Sequence, residues 1–350
     1  MWGTVVVPVA PAADPARSVV VEAVVAKPPS ALLEASDDEL MSRVSVDPSS
    51  LGSLSIGAPS SAVLINAVQL PADPMWQVAP SAETWGTAET MESIRTAVST
   101  VHQLYPDTPP IFVGDISDAD GGHLHRHQTH QGGRDADLGY YYLPGKGTWF
   151  TPGASTNLDM PRNWALVRAI VVCTDVETIL LDTRIQRLLY QYALKNGEDK
   201  AWLDRIFGFV SGSPNAIIRH VTGHRTHYHV RFYSPIAQEL GRRVHPMLVA
   251  QKLMKPPAFT IPHVVQPGQT LGALASRYGT SVRAIMQANG LTSSQVRAGR
   301  TYRIPVRTPA PQQMLAFTFP HRTLPTVTPE VLAAVPWPTP ESLYGTGGDR

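Results

Sequence analysis

From Leu51 onward the apolar residues fall into short runs whose spacing switches between helical and extended periods. Met91, Ile94, Val98 and Val101 recur at three- and four-residue steps, which predicts a helix near residues 91–104. Ile111-Phe112-Val113, Ala136 to Leu143 and Thr178 to Leu181 lack that period and predict strands. Further helices are expected near 161–172 and 183–195, with a short one from Lys200 to Phe207; strands are expected at 216–221 and 227–233. Strands and helices mix without regular strand–helix–strand repetition, so the fold class expected is α+β, with the functional site on an antiparallel sheet.

One predicted strand carries chemistry. Thr226 to Tyr233 alternates, so His227, His229 and Arg231 share one face while Tyr228, Val230 and Phe232 point into a core. Nine of the twelve histidines lie in the windows 102–130 and 220–229, a clustering that packing alone does not require. Imidazole is the commonest metal-binding side chain. The first window supplies His130 and Asp137, joined through Gly132 and Gly133, which let the chain turn tightly. Two histidines and one carboxylate make a three-ligand zinc set with a fourth position open for water. Asp135 shares a face with Asp137 and is expected either to hold the turn or to make a supporting contact to the ligands. His123 and His125 are expected to be exposed, and His102 to sit on its helix surface.

The wording HQTHQGGRDAD, followed about ninety residues later by GHRTHYHVR, resembles the penicillin-insensitive murein endopeptidases, within a wider group of zinc peptidases. The resemblance runs over residues 51–235. It implies zinc ligation by His130, Asp137 and His229, with His227 as the catalytic histidine and His224 and His127 as further active-site histidines. Arg231 is a possible clamp for a stem-peptide carboxylate. Some members carry an Asp-x-x-His for a second metal; Asp159 is followed by Met-Pro-Arg, so no second site is expected.

Composition sets outer bounds. Net charge is +1 with 16% charged residues and no basic block, which gives no sign of nucleic-acid binding. No stretch is long and apolar enough to span a membrane. The single cysteine, Cys173, excludes an intramolecular disulfide and reads as a buried thiol in an apolar run. Residues 1–50, rich in Ala, Val, Pro and Ser, are expected to be leader and linker, with at most a short helix near Ser36 to Met41. Thr4 to Ala13 is apolar, yet no Lys or Arg precedes it and two prolines interrupt it, so it makes a poor export signal.

The expected division is a peptidase domain over 51–250, a linker over 251–262, a small module over 263–306 and a Pro-rich tail over 307–350. The module resembles LysM glycan-binding domains through PGQTL, Tyr278-Gly279, Asn289-Gly290-Leu291 and the closing IPV. That resemblance implies a βααβ fold and a groove for N-acetylglucosamine-containing glycan flanked by Gly268, Gln269, Thr270, Leu271 and Leu291. Gln269 stands where Asp is common. The function expected is zinc-dependent hydrolysis of peptidoglycan cross-links by a periplasmic or secreted, wall-tethered enzyme. A carboxypeptidase or amidase on the same scaffold, and a silent wall-binding protein, are the alternatives.

Overall fold

The computed structural model describes residues 31–124, 127–213, 215–252 and 259–306. The expectations for His125, for a leader before residue 31 and for the tail over 307–350 lie outside the described residues.

A six-stranded sheet organises the larger unit. From edge to edge it runs Trp76–Val78, Ile111–Val113, Asp135–Leu138, Tyr228–Phe232, Val176–Leu181 and Ile218–His220. The inner pairings are antiparallel, as expected for the site, while both edge pairings are parallel, so the sheet is mixed. The expected strand at 136–143 is shifted: it begins at Asp135 and ends at Leu138, and Tyr140 to Tyr142 leave the ladder.

The helix Met160–Cys173 covers the core face. Asp159 caps it by accepting from Arg162 N–H at 3.2 Å, and Pro161 occupies the first turn, where a missing N–H costs nothing. Trp164, Leu166, Val167 and Ile170 are fully buried. Among its buried polar groups, Asn163 is fully engaged: Nδ2 donates to the carbonyls of Tyr141 and Asp159, and Oδ1 accepts from Tyr228 Oη–H at 2.9 Å. Tyr228 is thereby pinned on the core side, which turns its neighbour His229 to the opposite face. Cys173 is buried and its thiol is pushed up to about 11 by desolvation, as an inert packing residue should be.

Residues 31–50, expected as linker with at most a short helix, pack against the larger unit. Helix Asp37–Val46, capped by Ser36, buries Leu40 and Val44 with Leu51, Leu54 and Ile56 against Leu240, Val244 and Leu248 of helix Pro235–Ala250. Arg243 ties the two together through Asp37 and the carbonyls of Leu33 and Ala35. Only two core residues mark this helix, and its partners on helix Pro235–Ala250 lie some two hundred positions later. Local pattern therefore marks a short helix, expected near Ser36 to Met41, but gives no sign of what it packs against.

The small module pairs Phe259–Val264 antiparallel with Thr301–Val306 around helices Leu271–Tyr278 and Val282–Ala288. Thr270 and Ser281 cap those helices, as their sequence positions predict. Val265, Leu271, Leu274, Ile285, Tyr302 and Ile304 form its core. A hydrogen bond from Arg303 Nη1 to the Ser60 carbonyl, 3.1 Å, joins it to the larger unit.

Candidate metal centre and active site

Strand register builds the site. Tyr228–Phe232 pairs with Asp135–Leu138 so that His229 lies opposite Asp137 and Arg231 opposite Asp135. Alternation then puts all four side chains on one face. His130 arrives from the preceding loop at a positive φ of 64°, an uncommon conformation for a side chain this large. The turn back into the strand needs Gly133: its φ is 67°, and a Cβ there would come within 2.8 Å of Leu64 Cδ2.

Three ligand-type atoms converge. His130 Nε2 is 3.1 Å from His229 Nδ1, and each lies 3.3 Å from Asp137 Oδ1. Tetrahedral coordination with bonds of about 2.0–2.1 Å sets its ligand atoms about 3.4 Å apart, so the triangle has nearly the right edges. His130 and His229 are buried, as is Asp137. Asp137 Oδ1 is buried with no hydrogen-bond partner among the described residues. A carboxylate oxygen left bare among imidazoles is costly unless a cation completes it.

The supporting contacts select the ring nitrogens that face inward. His130 Nδ1–H donates to the Ile116 carbonyl at 3.1 Å, leaving the Nε2 lone pair for the triangle. His229 Nε2–H donates to Asp135 Oδ1 at 2.8 Å, leaving Nδ1. Arg231 Nε and Nη2 hold the same Asp135 oxygen at 2.8 and 2.7 Å. Such carboxylate–histidine pairs orient metal ligands and raise their basicity. Asp135 therefore takes the supporting role expected of it. Arg231 is a different matter: it is turned inward onto Asp135, with Glu177 3.9 Å away, and is committed behind His229 rather than free to clamp a substrate carboxylate.

Electrostatics follow the packing. Burial opposes ionisation of Asp137, but the imidazoles of His130, His229 and His227 hold its carboxyl well below the usual range. Burial likewise pushes His229 down, yet its hydrogen bond to Asp135 and the charges of Asp135 and Asp137 lift it to about 9. His227 goes the other way: desolvation outweighs Asp137 and brings it to about 4. His227 Nε2 sits 3.5 Å from Asp137 Oδ1, beside the triangle, and Nδ1 is 2.9 Å from Thr226 Oγ1. His224 packs with ring centroids 5.2 Å from His227 and 5.6 Å from His229, and its Nδ1 is buried without a hydrogen bond among the described residues.

A second His/His/Asp grouping shares two members. His127, His130 and Asp137 bring ligand-type atoms within 4.8 Å of one another. His127 Nε2, however, is held by Asp115 Oδ2 at 2.8 Å, with its ring 4.2 Å from that of His130. The His130–Asp137–His229 triangle is the tighter set.

Comparison with known families adds a second line of evidence. Residues 55–148 match the penicillin-insensitive murein endopeptidase family, and residues 263–305 match the LysM domain. The chain carries a murein endopeptidase domain and a LysM domain. Comparison with curated proteins returned no match. The endopeptidase match stops short of His224, His227 and His229, so sheet register, and not the matched segment, brings those side chains to His130 and Asp137. The domain is thus of a metallopeptidase family with a candidate His/His/Asp metal site, and the LysM domain implies binding to peptidoglycan. Peptidoglycan-acting domains imply action outside the cytoplasm, at the cell wall. No helix among the described residues is long and apolar enough to cross a membrane.

Among the described residues, other histidines have different surroundings. His123 is exposed, and His220 Nδ1 accepts from Thr183 N–H at the start of helix Thr183–Lys195. His102 is half-buried on its helix rather than a surface residue, and burial lowers it. In the LysM domain, Leu271 is 1% exposed and belongs to the core rather than a groove wall. Gln269 Oε1 accepts from His263 Nε2–H and Gln266 N–H, both at 2.9 Å, so it braces the turn. Thr270 is a helix cap, Leu291 packs at the core edge, and Gly268 has open space beside it. Sequence reasoning missed Asp115, the Ile116 carbonyl, Trp149 and Phe150. Asp115 has no periodic signal, and a carbonyl carries none at all.

Proposed function

We propose that the chain is a zinc-dependent murein endopeptidase that hydrolyses peptide cross-links of peptidoglycan, periplasmic or secreted, and held on the wall by its LysM domain. His130, Asp137 and His229 would hold the zinc through Nε2, Oδ1 and Nδ1. The observation that carries the reading is the buried triangle whose inward nitrogens are already selected by Ile116 and Asp135. A bound zinc ion supplies Lewis acidity and lets water ionise near neutral pH.

The protein's own groups do the rest. His227 is neutral at pH 7, so its Nε2 can accept a proton beside Asp137 Oδ1 and return it to the leaving amine. Thr226 orients that ring through Nδ1. His224 contributes a polar edge on the same side, positioned to meet charge that develops on the scissile carbonyl. His127, held by Asp115, lines the site next to His130. The domain division we propose starts the peptidase near residue 31, because helix Asp37–Val46 belongs to its packing, and gives the LysM domain residues 259–306.

Purified full-length protein, assayed for metal and incubated with dimeric muropeptides, tests the reading. About one zinc per chain and conversion of dimers to monomers are expected. Release of terminal D-alanine without dimer cleavage would point to a carboxypeptidase instead. Zinc retained in full by the triple alanine variant of His130, Asp137 and His229 would overturn the ligand set.

A further inference from the structure

The loop between Tyr142 and Leu158 holds an exposed aromatic in an unfavourable backbone position. Thr151 N–H donates to the Thr148 carbonyl at 3.0 Å, closing a four-residue turn, and Thr148 N–H returns to Thr151 Oγ1 at 3.1 Å. Phe150 is the third residue of that turn, with φ of 66°. A turn with positive φ at this position favours glycine or asparagine. A phenyl-bearing residue there is strained, and strain of this kind collects at ligand-facing sites.

The ring is also not hidden. Phe150 is 54% exposed, although a large apolar side chain in a folded domain is usually covered. Its ring stands edge-on to Trp149 at 4.8 Å and lies 5.4 Å from the imidazole of His227. Trp149 is itself locked in place: a Cβ on Gly114 would meet its ring at 2.5 Å, so only glycine leaves the slot open. The loop is fastened from both sides, by Tyr142 Oη–H to the Thr151 carbonyl and by Gly153 N–H to the Arg225 carbonyl at 2.7 Å. A braced, strained and half-exposed ring therefore borders His227, the histidine whose Nε2 faces Asp137 Oδ1 beside the metal triangle. Packing against Trp149 alone would not call for an aromatic at a glycine position.

We infer that Phe150 is a substrate-positioning residue, an apolar platform braced by Trp149 that receives the alkyl groups of the peptide next to the scissile bond. The inference rests on the murein endopeptidase reading above. It adds a specificity element from outside the histidine motifs, at a residue beyond the segment that matches the endopeptidase family.

The test uses full-length protein with Phe150→Gly, Phe150→Ala and Phe150→Trp. Phe150→Gly relieves the backbone, so it should melt at or above the wild-type temperature and keep its metal. Its KM for a purified muropeptide dimer should rise roughly 10-fold with kcat little changed, as loss of apolar contact area predicts. Phe150→Trp should restore most of the binding. Direct calorimetry of dimer binding in a His227→Ala background, with and without Phe150→Gly, reads the same contact without turnover. Unchanged KM and unchanged affinity in Phe150→Gly would overturn the inference, as would losses that track a fall in melting temperature. If wild-type protein fails to cleave the dimer, the endopeptidase reading falls. The calorimetric pair still decides the platform: equal affinity, or none in either protein, sinks it.

Discussion

Replacing Asp135 with asparagine separates the support of the metal site from the stability of the fold. Asp135 is 1% exposed, and a single oxygen takes His229 Nε2–H at 2.8 Å and two Arg231 donors at 2.8 and 2.7 Å. The carboxyl lies far below the usual range because Arg231 and His229 outweigh its burial. Asparagine keeps an acceptor but loses the charge that holds both His229 and Arg231. Arg231 would be left with Glu177 at 3.9 Å, a carboxylate already shared with Arg134 at 3.3 Å. Removing one partner of a buried pair costs about 3–5 kcal/mol. Glu177 is partly exposed and still supplies one countercharge, so the lower end, about 3 kcal/mol, is expected. His229 loses its orienting acceptor as well, which should weaken zinc binding about 10–100-fold, or about 1.4–2.7 kcal/mol. Chemical unfolding of the metal-free protein measures the first loss, and competition with a chromophoric zinc chelator measures the second. Adding Arg231→Met removes the stranded cation and should recover stability without recovering zinc affinity. Zinc affinity within twofold of wild type in Asp135→Asn would refute the orienting role. Full recovery of affinity in the double variant would show that the loss came from misfolding.

The two strand histidines should separate by role: His229→Ala loses the metal, whereas His227→Ala keeps most of it and loses about 10²–10⁴ in turnover, read by elemental analysis and single-turnover digestion. Equal zinc loss in both would make His227 a ligand. In the metal-free protein His229, raised to about 9 from 6.5, adds stability that is complete below pH 6.5 and disappears as pH rises through 9. His227, lowered to about 4, adds the opposite term, losing stability as pH falls from 6.5 toward 4. Zinc uptake at pH 7 should accordingly expel the His229 proton, visible as a calorimetric heat that depends on the buffer's ionisation enthalpy; a buffer-independent heat contradicts the assignment. Leu40→Ala should cost about 2–5 kcal/mol in urea unfolding, since Leu40 is fully buried against helix Pro235–Ala250. A change near zero would return residues 31–50 to the status of linker. Deleting residues 257–350 should weaken sedimentation with sacculi and spare cleavage of soluble dimers, because a tether raises concentration only on a polymer. Loss of dimer cleavage by a folded truncation would make the LysM domain part of the active site.

Much of the chemistry is legible in the order of residues alone. The clustering of histidines is a compositional fact, and period-two alternation in Thr226 to Tyr233 is enough to put His229 on the polar face and Tyr228 on the core face. The two caps of the LysM helices, at Thr270 and Ser281, are readable because capping is local. Leu271 marks the limit of local pattern: an apolar residue beside a turn suits a groove or a core equally, and only the packing around it chooses the core.

The sequence by itself determined which side chains are available and which share a strand face, because alternation and turn chemistry act over a few residues. Tertiary structure decided what those side chains touch. The register that sets His229 opposite Asp137 joins segments more than ninety residues apart, and no local period encodes it. The same register commits Arg231 to Asp135, turning an apparent substrate clamp into a support. Helix Asp37–Val46 became part of the domain only when helix Pro235–Ala250 supplied the apolar face it needed. Phe150 gained its meaning from a turn geometry and a neighbouring imidazole that meet only in the folded chain. Contacts of long sequence separation depend on where every intervening element packs, and that is a property of the whole fold.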